Sequence, residues 1–190
     1  MIPVADIARE IQRIGFRCQR CGICCSPVEP DSNIVMVTPP EIRRIMQSSA
    51  LAWDEIAEPY PGKIPLDTGN RVHLGWCIRR HNHNCVFLEA QNCRIYHTRP
   101  GICRTYPFEL SDTAVMSSPC PGLGQEISFD DAMALAQCLV DRYREEARDE
   151  NQIRAVFQSL KNGLEIPAGT PAVIDCEGVK ILGDSSKSRR

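Results

Sequence analysis

Several things are missing from this 190-residue sequence, and each absence removes a class of function. No long apolar run is present: the longest nearly apolar stretch, Ala132 to Val140, already contains Gln137 and is far too short to span a bilayer. Asp6, Arg9 and Glu10 fall where a secretory signal would carry its apolar region. Neither Gly-x-x-x-x-Gly-Lys-Ser/Thr nor Gly-x-Ser-x-Gly occurs, so phosphate-loop and serine-triad chemistry are not indicated. Strong net charge is also lacking, at −2. With 43% hydrophobic and 24% charged residues, the chain is able to bury a core and has the size of one domain. A cytoplasmic protein without a membrane segment is expected.

What is abundant is cysteine, with eleven residues. A secreted disulfide scaffold is disfavoured by the odd count, by a length sufficient for an ordinary core and by the missing export signal. In a reducing compartment clustered thiols are metal ligands or catalytic groups. Six arginines (71, 79, 80, 94, 99, 104) stand against Glu89 alone between Arg71 and Tyr106, whereas Pro107 to Leu160 carries ten acids against four arginines. The basic segment is the cysteine-rich one. Four thiolates on a divalent metal or a doubly positive cubane leave a charge of −2, so these arginines are read as balancing a buried anionic site rather than binding nucleic acid.

The pattern predicts a single small α+β domain over residues 1–183, with helices around an irregular cysteine-ligated centre, short strands and a flexible tail at 184–190. The cysteine part is 16–122; a helical part and hairpin occupy 128–183. Val4, Ile7, Ile11 and Ile14 mark one helix face, stopped by Gly15. Ile34 to Val37 reads as a strand, and Thr38-Pro39-Pro40-Glu41 as a capping box opening a helix with Ile42, Ile45 and Met46 inward. Pro59 to Gly69 reads as loop, Arg71 to Trp76 as a strand, and Cys77 to Cys120 as mostly irregular, with a short strand over Thr113 to Met116. Ser128 caps the strongest helix, whose face is Phe129, Met133, Ala136, Val140, Tyr143 and Ala147. Its register breaks across Arg148 to Gln152 and resumes at Ile153, Phe157 and Leu160, predicting a kink or a second helix ending at Gly163. Ala172 to Cys176 and Val179 to Leu182 read as a hairpin. No internal repeat is visible.

The sharpest signal is Cys18-Gln-Arg-Cys21-Gly22-Ile-Cys24-Cys25. A Cys-x-x-Cys turn folds back so that both sulfurs face one point, and Gly22 supplies the backbone freedom it needs. With Cys24 the spacing suits three corners of an iron–sulfur cubane whose fourth ligand comes from elsewhere. The ferredoxin continuation, three residues and then Cys-Pro, is absent. Adjacent side chains diverge, so Cys24 and Cys25, if both are ligands, serve two centres or two atoms of one cluster; otherwise Cys25 is a small buried hydrophobe. Downstream lie Cys85, Cys93, Cys103 and Cys120 without a second Cys-x-x-Cys. Zinc ribbons commonly pair two such knuckles, so the balance tips from Zn2+ towards an iron–sulfur cluster of the 4Fe-4S type, with zinc the other reading.

Phe16-x-Cys18-x-x-Cys21-Gly22-x-Cys24-Cys25, Cys85-x-Phe87-Leu88, Cys93-x-Ile95-Tyr96, Arg99-Pro100 and Cys103-Arg104-x-Tyr106-Pro107-Phe108, with Cys120 beyond, resemble the YkgJ-type cysteine-cluster (CxxCxxCC) family, described as a zinc- or iron-chelating domain. The resemblance covers roughly Phe16 to Gly122. It implies eight metal-binding cysteines, namely Cys18, Cys21, Cys24, Cys25, Cys85, Cys93, Cys103 and Cys120, enough for two four-cysteine centres. It settles neither metal nor reaction. One related branch is named flagellin lysine methylase, which keeps an enzyme using such a centre for group transfer open, although no lysine-methylase motif is found. A third reading is an adaptor with structural zinc whose acidic helix, 129–147, meets a partner. Outside the pattern, His81 and His83 read as exposed loop residues and Cys77 as packing or a spare ligand. His97 reads as a hydrogen-bond partner of a thiolate, and Cys138 and Cys176 as packing. Tyr96, Tyr106 and Phe108 are expected to form an apolar wall, and no catalytic residue is assigned.

Overall fold

The computed structural model describes residues 2–27, 29, 31–67, 69–161 and 166–183. Gly163 and the tail 184–190 lie outside them. In chain order the elements are α1 (Val4–Ile14), β1 (Met36–Val37), α2 (Pro39–Ser49), α3 (Trp53–Ile56), β2 (Ala57–Pro59), β3 (Lys63–Pro65), β4 (Arg71–Leu74), β5 (Trp76–Ile78) and β6 (Arg80–His81). There follow β7 (Asn84–Cys85), β8 (Leu88–Glu89), β9 (Asn92–Cys93), α4 (Gly101–Thr105), β10 (Phe108–Leu110), β11 (Val115–Ser117), α5 (Phe129–Lys161), β12 (Ala172–Asp175) and β13 (Gly178–Ile181). The class is mixed α+β.

Local signals explain most starts and stops. At the head of α2 the Thr38 hydroxyl accepts from the Glu41 backbone N–H (3.4 Å) while the Glu41 carboxylate accepts from the Thr38 N–H (3.1 Å). The other Glu41 oxygen accepts from the Gly101 N–H (2.8 Å), so one carboxylate joins the start of α2 to the start of α4. Three apolar clusters hold the fold. Ile7, Ala8 and Ile11 of α1 pack on Ala132, Ala136, Leu139 and Val140 of α5 with Phe108. Ile42 and Ile45 of α2 cover Val37, Ile56, Trp76, Ile78, Phe87 and Ile95. The later part of α5, through Ile153, Val156, Phe157 and Leu160, covers Val72 and Ile174 of the sheet β13-β12-β4-β3. That sheet joins the hairpin β12–β13 to β4 in parallel, with Val173 opposite His73. A second sheet, β1-β5-β2, lies beside it, and the Trp76 indole N–H donates to buried Asp175 (2.8 Å), tying the two together.

Several expectations are corrected. Pro59–Gly69 contains β3, which pairs antiparallel with β4; an edge position tolerates Pro65. Gly75, with φ 76, separates the expected strand 71–76 into β4 and the start of β5. Residues 129–161 form one helix in place of two, because the weak stretch at Arg148 to Gln152 is carried by flanking apolar contacts on either side. Its inward stripe is rotated towards Ala132 and Leu139, leaving Phe129 and Ala147 exposed. The segment Cys77–Cys120 is more regular than expected: it holds three short hairpins and α4. Two of those hairpins, β6–β7 and β8–β9, repeat the same form eight residues apart.

Candidate metal centre

The loop carrying the first four cysteines is fixed at its start by backbone and at its end by a side-chain amide. Phe16 bridges to Leu123, the Arg17 N–H donates to Gly122 O (2.9 Å) and the Gly124 N–H to Gly15 O (3.0 Å). Gly122 is required there, since a Cβ would fall 2.3 Å from Arg17 O. Within the loop Arg20 and Gly22 both adopt left-handed conformations (φ 50 and 72), and a 3-10 turn over Ile23–Cys25 follows. Gly22 lies against the β8–β9 turn, where a Cβ would come 3.0 Å from both Gln91 O and Leu88 Cδ1. On leaving the loop, the Asn33 amide donates to Cys25 O (3.1 Å) and to His83 O (2.7 Å), pinning it to the β6–β7 hairpin.

That hairpin and the next deliver one cysteine each by the same device. Two-residue turns, Asn82-His83 and Ala90-Gln91, have positive φ throughout, the geometry that matches strand twist. They set Cys85 opposite Arg80 and Cys93 opposite Leu88. The residue after each cysteine then donates back to the residue seven earlier: Val86 to Arg79 O (3.0 Å) and Arg94 to Phe87 O (2.9 Å). Cys103 comes from α4. Cys120 precedes the Gly122 crossing and its sulfur accepts from the Gly122 N–H (3.4 Å).

All eight cysteines line one cavity of about 70 Å3, together with Phe16, Val35, Ile78, Phe87, Ile95, Tyr96 and Tyr106. Among the described residues no histidine, aspartate or glutamate lines it. Its donors are therefore sulfur in an apolar surround, a set that suits soft or borderline metals and iron–sulfur clusters and disfavours calcium or magnesium. Among the described residues no three His, Cys, Asp or Glu side chains are already close enough together to hold a metal ion. The cysteines share a cavity, and binding would have to draw them in.

Hydrogen bonds and burial push five of these thiols, Cys24, Cys25, Cys93, Cys103 and Cys120, above the ordinary cysteine value. Cys24 is raised by donating to Cys25 and by partial withdrawal of its sulfur from water, although the residue as a whole is exposed. Cys25 is lowered by the bond it accepts from Cys24. The bond it donates to Cys85, burial and the neighbouring Cys85 and Cys93 outweigh this and carry it up to about 12. Burial raises Cys103, Cys93 and Cys120. The electrostatic neighbours sort the sulfurs. Cys120 feels Cys21, Cys18 and Cys24, whereas Cys25, Cys85, Cys93 and Cys103 are linked through Cys25; Cys24 lies between the groups, and Cys93 also feels Cys18.

The other residues singled out from sequence fall elsewhere. Cys77 is buried in β5 with its thiol on Glu58 O (3.6 Å), and it does not line the cavity, nor do Cys138 and Cys176. His81 and His83 are exposed on the hairpin. His97 is exposed against the edge of the Tyr96 ring and, among the described residues, makes no hydrogen bond to a thiol. Tyr96 and Tyr106 face the cavity, while Phe108 stands behind Phe16 (ring centroids 5.6 Å). Of the six arginines only Arg99 lines the cavity; Arg79 binds the Asp54 carbonyl, Arg80 pairs with Asp31 (2.6 Å), Arg94 pairs with Glu89 (3.8 Å), and Arg71 and Arg104 are exposed. Sequence reasoning missed Arg20, which reaches the cavity from the first Cys-x-x-Cys, and Asn33, whose role has no local signature.

Comparison with known families places this geometry. The CxxCxxCC family, described as "Putative zinc- or iron-chelating domain", matches residues 17–121, the stretch that contributes all eight cysteines. The chain belongs to the CxxCxxCC family. As a CxxCxxCC protein it carries a zinc- or iron-chelating domain over more than half of its length. It is similar to the protein named "Uncharacterized protein MJ0661" of Methanocaldococcus jannaschii, at 26% identity over 99 residues, 51% of this chain and 47% of that one. The matched stretch thus spans about half the length of that curated relative. No solved structure matches. Among the described residues no helix is long and apolar enough to cross a membrane.

Proposed function

We propose that this CxxCxxCC protein holds metal through eight thiolates arranged as two four-cysteine centres, in a reducing, cytoplasmic setting. The observation that carries the reading is the single cavity lined by all eight cysteines and by no oxygen or imidazole donor from Asp, Glu or His. The Cys18-x-x-Cys21-x-x-Cys24 spacing groups those three as one centre with Cys120 as the fourth, and leaves Cys25, Cys85, Cys93 and Cys103 for the other; Cys24, bonded to Cys25, lies where the two meet. The first set is three corners of a cubane from one tight loop plus a distant fourth, which favours a 4Fe-4S cluster there. Residues 1–183 act as one metal-binding domain, because the centres would join the loop at 18–25 to the segment 85–120. Metal is held by thiolates, so loading releases protons and uptake weakens as pH falls.

Anaerobic purification with iron, zinc and sulfide analysis and an absorption spectrum tests the reading. Iron with matching sulfide and a brown colour supports the cluster. Two zinc ions and no sulfide retain the two centres but reject iron–sulfur. A folded protein with no stoichiometric transition metal rejects the whole proposal.

An enzymatic reading is favoured by a second, more polar cavity of about 230 Å3 that adjoins Cys24 and Cys103 and is lined by Asn33, Glu109, Ser118 and Arg142. A cluster open on that side would change its spectrum on adding cyanide or azide; a closed four-thiolate centre would not.

A further inference from the structure

Arg20 and Arg99 both stack on the Tyr96 ring, with guanidinium carbons 4.2 and 3.7 Å from its centroid. Their charges therefore lie within about 8 Å of each other, a repulsive arrangement unless an anion is near. Among the described residues neither has a carboxylate partner, in contrast to Arg80 and Arg94, which belong to the same basic stretch as Arg99. Arg99 is held on both sides of its charge. Its Nε donates to Tyr96 O (2.8 Å), its own carbonyl accepts from Arg44 (3.4 Å), and the next residue, Pro100, leads directly into α4. Arg20 is held by less: it is exposed, and its backbone sits in a left-handed turn. Both line the cysteine cavity.

We infer that Arg99, clamped on Tyr96, is the positioning residue that balances the negative charge of the loaded cysteine centre, with Arg20 as a weaker second cation. The inference rests on the metal-binding reading above. Among the described residues no carboxylate lines the cavity to give the two cations a counter-charge. A loaded four-thiolate centre carries a charge of about −2, and it is then the anion the pair lacks. Arg99 lines the cavity beside Cys93, Pro100 and Cys103, where its charge faces the cysteine centre. Planar stacking on a ring fixes a guanidinium without consuming its charge. A carboxylate partner would fix it equally well but neutralise it.

The test is anaerobic titration of the reduced full-length chain with Co2+ against a competing chelator, at low and high salt, for wild type and the variants Arg99→Gln, Arg99→Lys, Arg20→Gln and Arg94→Gln. Arg99→Gln is expected to weaken Co2+ binding about ten- to a hundred-fold, as loss of an outer-shell partner does. Its deficit should shrink as salt rises, because an electrostatic contribution is screened. Arg99→Lys should recover most of the affinity, Arg20→Gln should lose less than Arg99→Gln, and Arg94→Gln, one residue from Cys93 but paired with Glu89, should match wild type. In the stripped protein Arg99→Gln should shift the melting temperature by only a few degrees, the size of a lost ring contact and one hydrogen bond. If wild type binds Co2+ and Arg99→Gln binds equally well, or if Arg94→Gln weakens binding as much, the assignment to Arg99 is overturned while the metal reading stands. If wild type takes up no Co2+, the assignment to Arg99 falls, and the metal reading falls with it when the anaerobically purified protein also lacks iron and zinc.

Discussion

Replacing Cys103 by alanine separates the packing role of a cysteine from its role as a cross-link. Its sulfur is buried in α4, so in stripped protein Cys103→Ala removes one buried heavy atom and costs about 1 kcal/mol. In loaded protein it also breaks a link between α4 and the loop at 18–25. Linking Cys25 to Cys103 encloses about 80 residues, for which loop-closure entropy gives about 4.5 kcal/mol. Part of that closure survives the substitution, because Cys25, Cys85 and Cys93 of the same proposed centre still link the loop at 18–25 to the two hairpins. The loop that Cys103 alone closes, from 93 to 103, is about 10 residues and gives about 3 kcal/mol. Urea unfolding of wild type, Cys103→Ala and Cys138→Ala, each loaded and stripped, reads these differences directly. Cys103→Ala should lose about 4 kcal/mol loaded and about 1 kcal/mol stripped, with metal content falling towards half. Cys138→Ala, on α5 away from the cavity, should keep its metal and change both states alike. Equal losses for Cys103→Ala with and without metal, or an equal fall in metal for Cys138→Ala, would refute the cross-link.

Other outcomes follow from packing and charge. Phe108→Ala, at 1% exposure and edge-on to Phe16, should cost about 3–4 kcal/mol in stripped protein by chemical denaturation. Thr38→Ala should cost about 1 kcal/mol through the lost α2 cap, with metal content unchanged. Ala90→Gly should be stabilising by up to about 1 kcal/mol, since φ 43 at Ala90 is a conformation glycine adopts without strain. The bond from Arg43 holds the Glu177 carboxyl below its ordinary value of 4.5, so this pair stabilises above the unfolded pKa and is lost as pH falls through the lower folded one. Both side chains are substantially exposed, so wild type and Arg43→Ala should differ by no more than about 0.5 kcal/mol at neutral pH and converge in acid.

The parts of the fold legible in the sequence are those set by local chemistry. Val4, Ile7, Ile11 and Ile14 placed α1, the Thr38–Glu41 box placed α2, and the Ala172–Leu182 pattern placed the last hairpin. What stayed hidden depends on partners distant in sequence. The strand β3 carries two prolines' worth of loop signal around it and pairs only because β4 is there to receive it. The hairpins holding Cys85 and Cys93 use Asn-His and Ala-Gln turns, without the glycine that advertises a two-residue turn. At the cavity the cysteines themselves were readable by spacing, and so were Phe16 and Phe87 within the quoted motifs. The arginine count was readable but its geometry was not, since only stacking on Tyr96 distinguishes Arg99 from its neighbours.

The twin hairpins restrict how this protein can vary in length. Both Asn84-Cys85 and Asn92-Cys93 are set at their sulfur positions by hydrogen-bonded pairing across a two-residue bend. A single residue added or deleted in either bend would turn that thiol to the opposite side of its ribbon. Relatives that keep both donors should therefore hold the interval between them fixed.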